Sequence, residues 1–212
     1  MKHRLQVLLN RQEVPGIHHL VFQVPEELGR QYVAAGQYVQ LDCDTGRPVF
    51  MAIASAPQAA GFEFLIQVSE GTAGAICALR EGDTVACSEV MGTGFPMEKA
   101  KGTQVLFFAG GTGISAVRAL IESTRWEGAR LYYGANRREE MAYTALFADW
   151  EWRGVRVVEC IEVFPTQAYA AEGATDASSV SAVLCGPNAM MAAVTELLVA
   201  QGMPADRALK NT

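Results

Sequence analysis

The segment Val105–Ser115, VLFFAGGTGIS, passes from a wholly apolar strand pattern through a glycine-rich turn into an amphipathic helix pattern. Glycine lets the backbone turn sharply and lets an anion approach with no Cβ in the way. The free N–H groups of the new helix start, aided by its dipole, face such an anion. This is the physics of a dinucleotide pyrophosphate site at the carboxyl end of a parallel strand. A tight strand–helix connection without a ligand has the same local grammar, and the spacing is not that of G-x-G-x-x-G.

Around this segment the sequence is of two kinds. Before about residue 100 it reads as short, partly alternating apolar runs: LQVLL, HHLVFQV, GQYVQLDC, PVFMAIA, FEFLIQV and DTVACSEV. Turn signals such as Pro15-Gly16, Gly36, Gly46, Pro57, Gly61 and Gly82 separate them. Many short strands at close spacing predict a small antiparallel barrel or sandwich. One short helix is expected at AGAICALR, residues 73–80.

After residue 103 strand patterns at 105–109, 131–133, 155–161 and 182–185 alternate with helical ones. Ile114, Val117, Leu120 and Ile121 share a helical face, as do Met141, Ala145 and Ala148, and then Met190, Val194, Leu197 and Leu198. Alternating β and α elements predict a doubly wound parallel sheet covered by helices. Residues 165–180 are rich in Ala, Ser and Thr and read as a long loop with room for a helical turn. The polar stretch Lys99–Thr103 divides the chain into an expected β-barrel, 1–100, and an expected α/β domain, 103–212.

Composition excludes several classes. The net charge is −6, with 17 basic and 23 acidic side chains, so no polybasic nucleic-acid surface is expected. No apolar run reaches membrane-spanning length, and the three-residue apolar run near the N-terminus is too short for a signal-peptide core. The five cysteines are odd in number and widely spaced, without a C-x-x-C pair. That argues against a disulfide scaffold, zinc or an iron–sulfur cluster, and for a reducing cytoplasm. The histidines cluster near the N-terminus, so no metal site is expected.

Three blocks of the second half resemble the ferredoxin–NADP reductase family. AGGTGIS (109–115) resembles its nucleotide loop. LYYGANRREEMAY (131–143) resembles its next strand and loop, and LCGPNAMMAAV (184–194) its C-G-P strand end and following helix. The order and spacing also match. The resemblance implies that Gly110, Gly111, Thr112, Gly113 and Ile114 surround the pyrophosphate of NADPH or NADH. It places Gly134 and Tyr143 beside the nucleotide. Cys185, Gly186, Pro187 and Met190 would then lie by the nicotinamide, with Thr112 and Cys185 nearest the hydride. Cys185 also suits the role of a small buried hydrophobe. Arg137 and Arg138 either grip a ribose 2′-phosphate or lie solvated beside Glu139 and Glu140, so NAD against NADP is open.

The first half resembles the family's FAD-binding barrel more weakly, over residues 3–98. Its flavin motif is usually Arg-x-Tyr-Ser/Thr, followed by an apolar residue, Ala or Cys, and Ser. Here the text is RPVFMAIASAP, 47–57. Ile53, Ala54 and Ser55 are in register. Met51 falls at the tyrosine position and Ala52 at the hydroxyl position, while Arg47 and Phe50 come early. The sequence thus departs from the motif by lacking the hydroxyl partner of the flavin N5 edge. FLIQVSEGTAGAICAL (64–79) resembles the flavin strand and second pyrophosphate loop, which implies Gln67, Val68, Gly71, Thr72 and Ala73 at FAD. Thr72 also suits a helix N-cap. VMGTGF (90–95) resembles the turn that ends the barrel. Family members often lay their C-terminal residues over the flavin; Thr212 offers no ring.

The resemblance implies a flavoprotein oxidoreductase that passes hydride from NAD(P)H to FAD and electrons onward to a separate acceptor, such as a redox protein. The cysteine cluster expected of the electron-transfer subunit of dihydroorotate dehydrogenase is missing. The altered flavin motif leaves a second reading: an NAD(P)H-binding regulatory or scaffold module that no longer holds FAD.

Overall fold

A computed structural model describes residues 2–43, 47–173 and 176–211. The turn expected at Gly46 and the last residue, Thr212, lie outside these, as do two residues of the expected loop, 174 and 175.

The first half is β1 (His3–Val14), β2 (Ile17–Gln23), α1 (Glu26–Gly29), β3 (Tyr38–Asp42), β4 (Val49–Ala52), β5 (Gly61–Gln67), α2 (Thr72–Cys77) and β6 (Thr84–Cys87). The strands form one antiparallel sheet in the order β4-β3-β6-β1-β2-β5. It curls into a barrel-like sheet that does not close, although the chain just beyond β4 touches the far edge strand β5. There Ala54 N donates to Glu63 O at 2.8 Å, and Ser55 Oγ donates to Gly61 O at 3.0 Å. Period-2 alternation sends Leu5, Val7, Leu20, Phe22, Phe62 and Phe64 inward to one core. Leu65, on the opposite face of β5, belongs instead to the core of the second half.

The second half is β7 (Gln104–Gly110), α3 (Ile114–Ser123), β8 (Ala129–Ala135), α4 (Phe147–Trp152), β9 (Val155–Ile161), α5 (Pro165–Ala171), β10 (Val180–Cys185), α6 (Asn188–Ala200) and β11 (Ala208–Lys210). All its strand pairs are parallel, in the order β11-β10-β7-β8-β9. The near-continuous apolar run of β7 follows from burial on both faces. Phe107 and Ala109 pack under α3, while Leu106 and Phe108 pack against α5 and α6. The sheet is therefore doubly wound.

Two sequence expectations are corrected here, and one strand is added. The helix expected around Met141, Ala145 and Ala148 begins only at Phe147, after two short 3₁₀ turns (138–140 and 144–146). Tyr143, at φ 65°, adopts the left-handed conformation that an α-helix cannot contain. The expected loop 165–180 opens with α5, whose proline sits at the first helical position, where its missing N–H costs nothing. The strand β11 was not expected at all.

Candidate functional site

The carboxyl ends of β10, β7, β8 and β9 lie side by side, because Cys185 pairs with Ala109, Gly110 with Gly134 and Gly134 with Cys160. Above this edge a crevice of about 770 Å³ opens against the barrel. The parallel sheet contributes Gly110, Gly111, Thr112, Gly134, Pro187 and Met190. The barrel contributes Gln67 and Val68 from the end of β5, and Pro15 and Gly16 from the β1–β2 turn. One cleft therefore gathers expected residues from both halves.

Close backbone approach explains the glycines. A Cβ at Gly113 would lie 2.4 Å from the Cys185 carbonyl oxygen. One at Gly186 would lie 2.9 Å from Gly110 N, and one at Gly110 would lie 2.9 Å from Pro187 Cδ. The glycine loop and the C-G-P corner are thus locked together by backbone contact, and any side chain would wedge them apart. Gly111, at φ 54°, has open space where its Cβ would be.

Several expected residues stand elsewhere. Ile114 is fully buried under the sheet, and Cys185 is half-buried against the same core, together with Ala52 and Ile17. Burial pushes the Cys185 thiol up to about 11, so it is protonated at neutral pH and no thiolate nucleophile is at hand. Arg137 and Arg138 are exposed outside the crevice lining, and Arg138 pairs with Glu159.

Tyr143, expected beside the nucleotide, is only 2% exposed and serves the seam between the halves. The Arg118 guanidinium lies 4.7 Å from its ring centroid, its hydroxyl lies 3.2 Å from His19 Nδ1, and its N–H donates to Glu13 at 3.0 Å. Arg118 also binds Glu63 of β5 at 2.7 Å and Glu122 at 2.9 Å, and His19 Nε2 is 3.2 Å from Glu63. Burial alone would raise the Glu63 pKa. The His19 and Arg118 contacts together outweigh it and hold the carboxyl at about 2. The sequence showed no pattern for this network, because its members come from β1, β2, β5, α3 and a loop.

On the barrel, alternation along β4 decides which side chains are presented. Met51, which falls at the tyrosine position of the family motif, turns inward against the barrel core. Phe50 and Ala52 turn outward beside Tyr38, and these three with Asn211 line a shallow surface pocket. Phe50 is 64% exposed, and its ring meets that of Tyr38 at a centroid distance of 5.8 Å. Ile53, Ala54 and Ser55 are buried in the barrel wall, where Ser55 Oγ donates to Gly61 O and accepts from Glu63 N. Arg47 is exposed just before β4. Beyond β5, Gly71 (φ 77°) leads into α2. Ala73 is buried there. Thr72 is 3% exposed, and its hydroxyl has no hydrogen-bond partner among the described residues.

Asn136, Glu140, Glu162, Val163 and Phe164 also line the crevice and were not foreseen. The last three directly follow β9, a strand that was foreseen. The rule that ligands gather at carboxyl strand ends was the available signal.

No protein-family model matches the chain. Among curated proteins, the fruit protein pKIWI502 of Actinidia deliciosa is 32% identical, over 92% of this chain and 73% of its own length. Sulfhydrogenase 1 subunit gamma of Pyrococcus furiosus is 25% identical, over 94% of this chain and 75% of its own. A ferredoxin NADP+ reductase from Neisseria gonorrhoeae, solved with bound FAD and NADP, superposes with a TM-score of 0.83. That match covers 94% of this chain and 91% of the reductase, at 17% identity, and so speaks for the fold. A curled antiparallel sheet leading into a doubly wound parallel one, the glycine loop seated against C-G-P, and a relative 32% identical over 92% of this chain agree: the chain belongs to the ferredoxin–NADP reductase-like family.

Proposed function

We propose that this chain is a flavin-dependent oxidoreductase that takes hydride from NAD(P)H onto FAD and hands electrons to a separate redox partner. The observation that carries the reading is the single crevice lined from both halves, by Gly110–Thr112 and Pro187–Met190 on one side and Gln67–Val68 on the other. A nicotinamide supplies hydride, and a flavin accepts the electron pair and can release it one electron at a time.

The chain's own residues fit both groups. Gly111 lines the crevice with open space where its Cβ would be, and so leaves the backbone bare where a pyrophosphate would press against it. Thr112 offers a half-exposed hydroxyl at the mouth of that loop. An unpaired buried hydroxyl costs about 1–3 kcal/mol, so the Thr72 side chain implies a partner, and a phosphate oxygen of FAD at the start of α2 suits it. Arg47 supplies positive charge on the same half. Phe50 offers an exposed ring face on which an isoalloxazine can stack. Cys185 and Ala52, packed into one apolar core, keep water from the region between the two sheets. The domain boundary at residues 100–103 is part of this reading.

A partner outside the chain is favoured because the relative from Pyrococcus furiosus is by name one subunit of a larger enzyme. The second reading, a nucleotide-binding module without FAD, rests on Ala52, which has no hydroxyl to offer. An absorption spectrum separates the two. A band near about 450 nm, typical of oxidised flavin, that bleaches anaerobically with NADH or NADPH supports the reductase. No band, before or after added FAD, leaves the binding module.

A further inference from the structure

The crevice has two chemically different ends. Successive parallel strands lie about 4.8 Å apart, so the tips of β10 and β9 are separated by about 14 Å. A dinucleotide can span such an edge. On the reading above, the nicotinamide belongs at the β10–β7 end, beside Cys185 and the barrel strand carrying Ala52. The adenosine then falls over the tips of β8 and β9. The residues there are Asn136 and Glu140 after β8, and Glu162, Val163 and Phe164 after β9.

This end presents carboxylates and an aromatic ring. Among the described residues, the crevice lining includes Glu140 and Glu162 but no lysine or arginine. Of the two arginines in the loop after β8, Arg138 is engaged with Glu159 and Arg137 lies outside the lining. Phe164 is 68% exposed at the lip, with its ring free to cover a ligand in the crevice. A carboxylate accepts hydrogen bonds from ribose hydroxyls and repels a ribose 2′-phosphate; recognition of that phosphate calls for a guanidinium or ammonium group. A flat apolar ring suits the face of an adenine.

We propose that the crevice selects NADH over NADPH, with Glu162 and Glu140 set against the 2′ position of the adenosine ribose and Phe164 stacked on the adenine. The proposal rests on the dinucleotide reading of the crevice, and the test separates the two. The 212-residue chain is titrated calorimetrically with NADH and with NADPH at low ionic strength. NADH is expected to bind roughly tenfold to a hundredfold more tightly, with a gap that narrows as salt is added. Glu162→Gln narrows the gap by tightening NADPH, and Phe164→Ala weakens both nucleotides alike. NADPH binding as tightly as NADH overturns the preference and leaves the dinucleotide reading standing. Binding of neither nucleotide overturns both. A ratio unchanged in Glu162→Gln and in Glu140→Gln alike overturns the assignment to these carboxylates.

Discussion

The two halves prepare their ligand surfaces by different means. The parallel sheet builds its site from backbone: Gly110, Gly113 and Gly186 are glycines because a Cβ at any of them would strike a neighbour within 3 Å. On the proposed reading, the barrel builds its site from side chains: Phe50 on an outward face of β4, and Thr72 at the start of α2. A backbone site tolerates no added atom, so its sequence is nearly forced. A side-chain site needs only the right group on the right face, and its sequence can drift. This difference explains why the nucleotide loop matches the family motif while the flavin motif is altered.

The comparison breaks most sharply at Gly113. Gly113→Ala sets a Cβ against the Cys185–Gly186 peptide, a backbone neighbour that cannot rotate away. We expect a loss of about 2–4 kcal/mol in thermal or denaturant unfolding, together with loss of nucleotide binding. Gly111→Ala meets no neighbour and costs only about 1–2 kcal/mol, for its left-handed backbone. Equal effects of the two substitutions would refute the backbone-contact account.

Next in size is the seam between the halves. Arg118→Met leaves the half-buried Glu63 and Glu122 without this cation, for an expected cost of about 2 kcal/mol. Acid should act on the same seam. The Glu63 carboxyl is held at about 2, below its ordinary 4.5, so it contributes stability above about pH 4.5. That contribution is lost as the pH falls from 4.5 through about 2. Glu63→Gln should flatten this limb of the stability–pH curve, and an unchanged limb would place the acid sensitivity elsewhere.

The smallest effect sharpens the barrel side. Phe50→Ala should cost little stability, because the ring is mostly exposed, but should weaken FAD binding by about tenfold, the worth of a stacked ring. Met51→Ala should do the reverse, costing up to about 2 kcal/mol of barrel stability with FAD affinity nearly intact. If Met51→Ala releases the flavin and Phe50→Ala does not, the strand faces have been assigned the wrong way round.

Much of the fold was legible because hydrophobic period reports burial directly. The strand VRVVECI coincides with β9, and Ile114, Val117, Leu120 and Ile121 all lie in α3. The misses have local causes. β11 is three residues long and is stabilised by pairing with β10, so it leaves no periodic trace. Met141 and Ala142 are buried as loop residues, and the left-handed Tyr143 beside them breaks the helix their spacing suggests. In the flavin motif the residue types were visible, but their register was not. A shift of one position moves every side chain of a strand to its other face.

The sequence by itself determined the order of the two sheets, the glycine corner and the family, since each depends on local periodicity or on positions where a single residue type fits. Only the tertiary structure decided that Phe50 rather than Met51 faces outward, that Tyr143 belongs to the seam and not to the nucleotide, and that carboxylates line the far end of the crevice. The physical reason is the range of the interactions. Turn geometry and burial periodicity act within about a dozen residues, whereas Arg118, Glu63 and His19 meet only after two separately patterned sheets have packed.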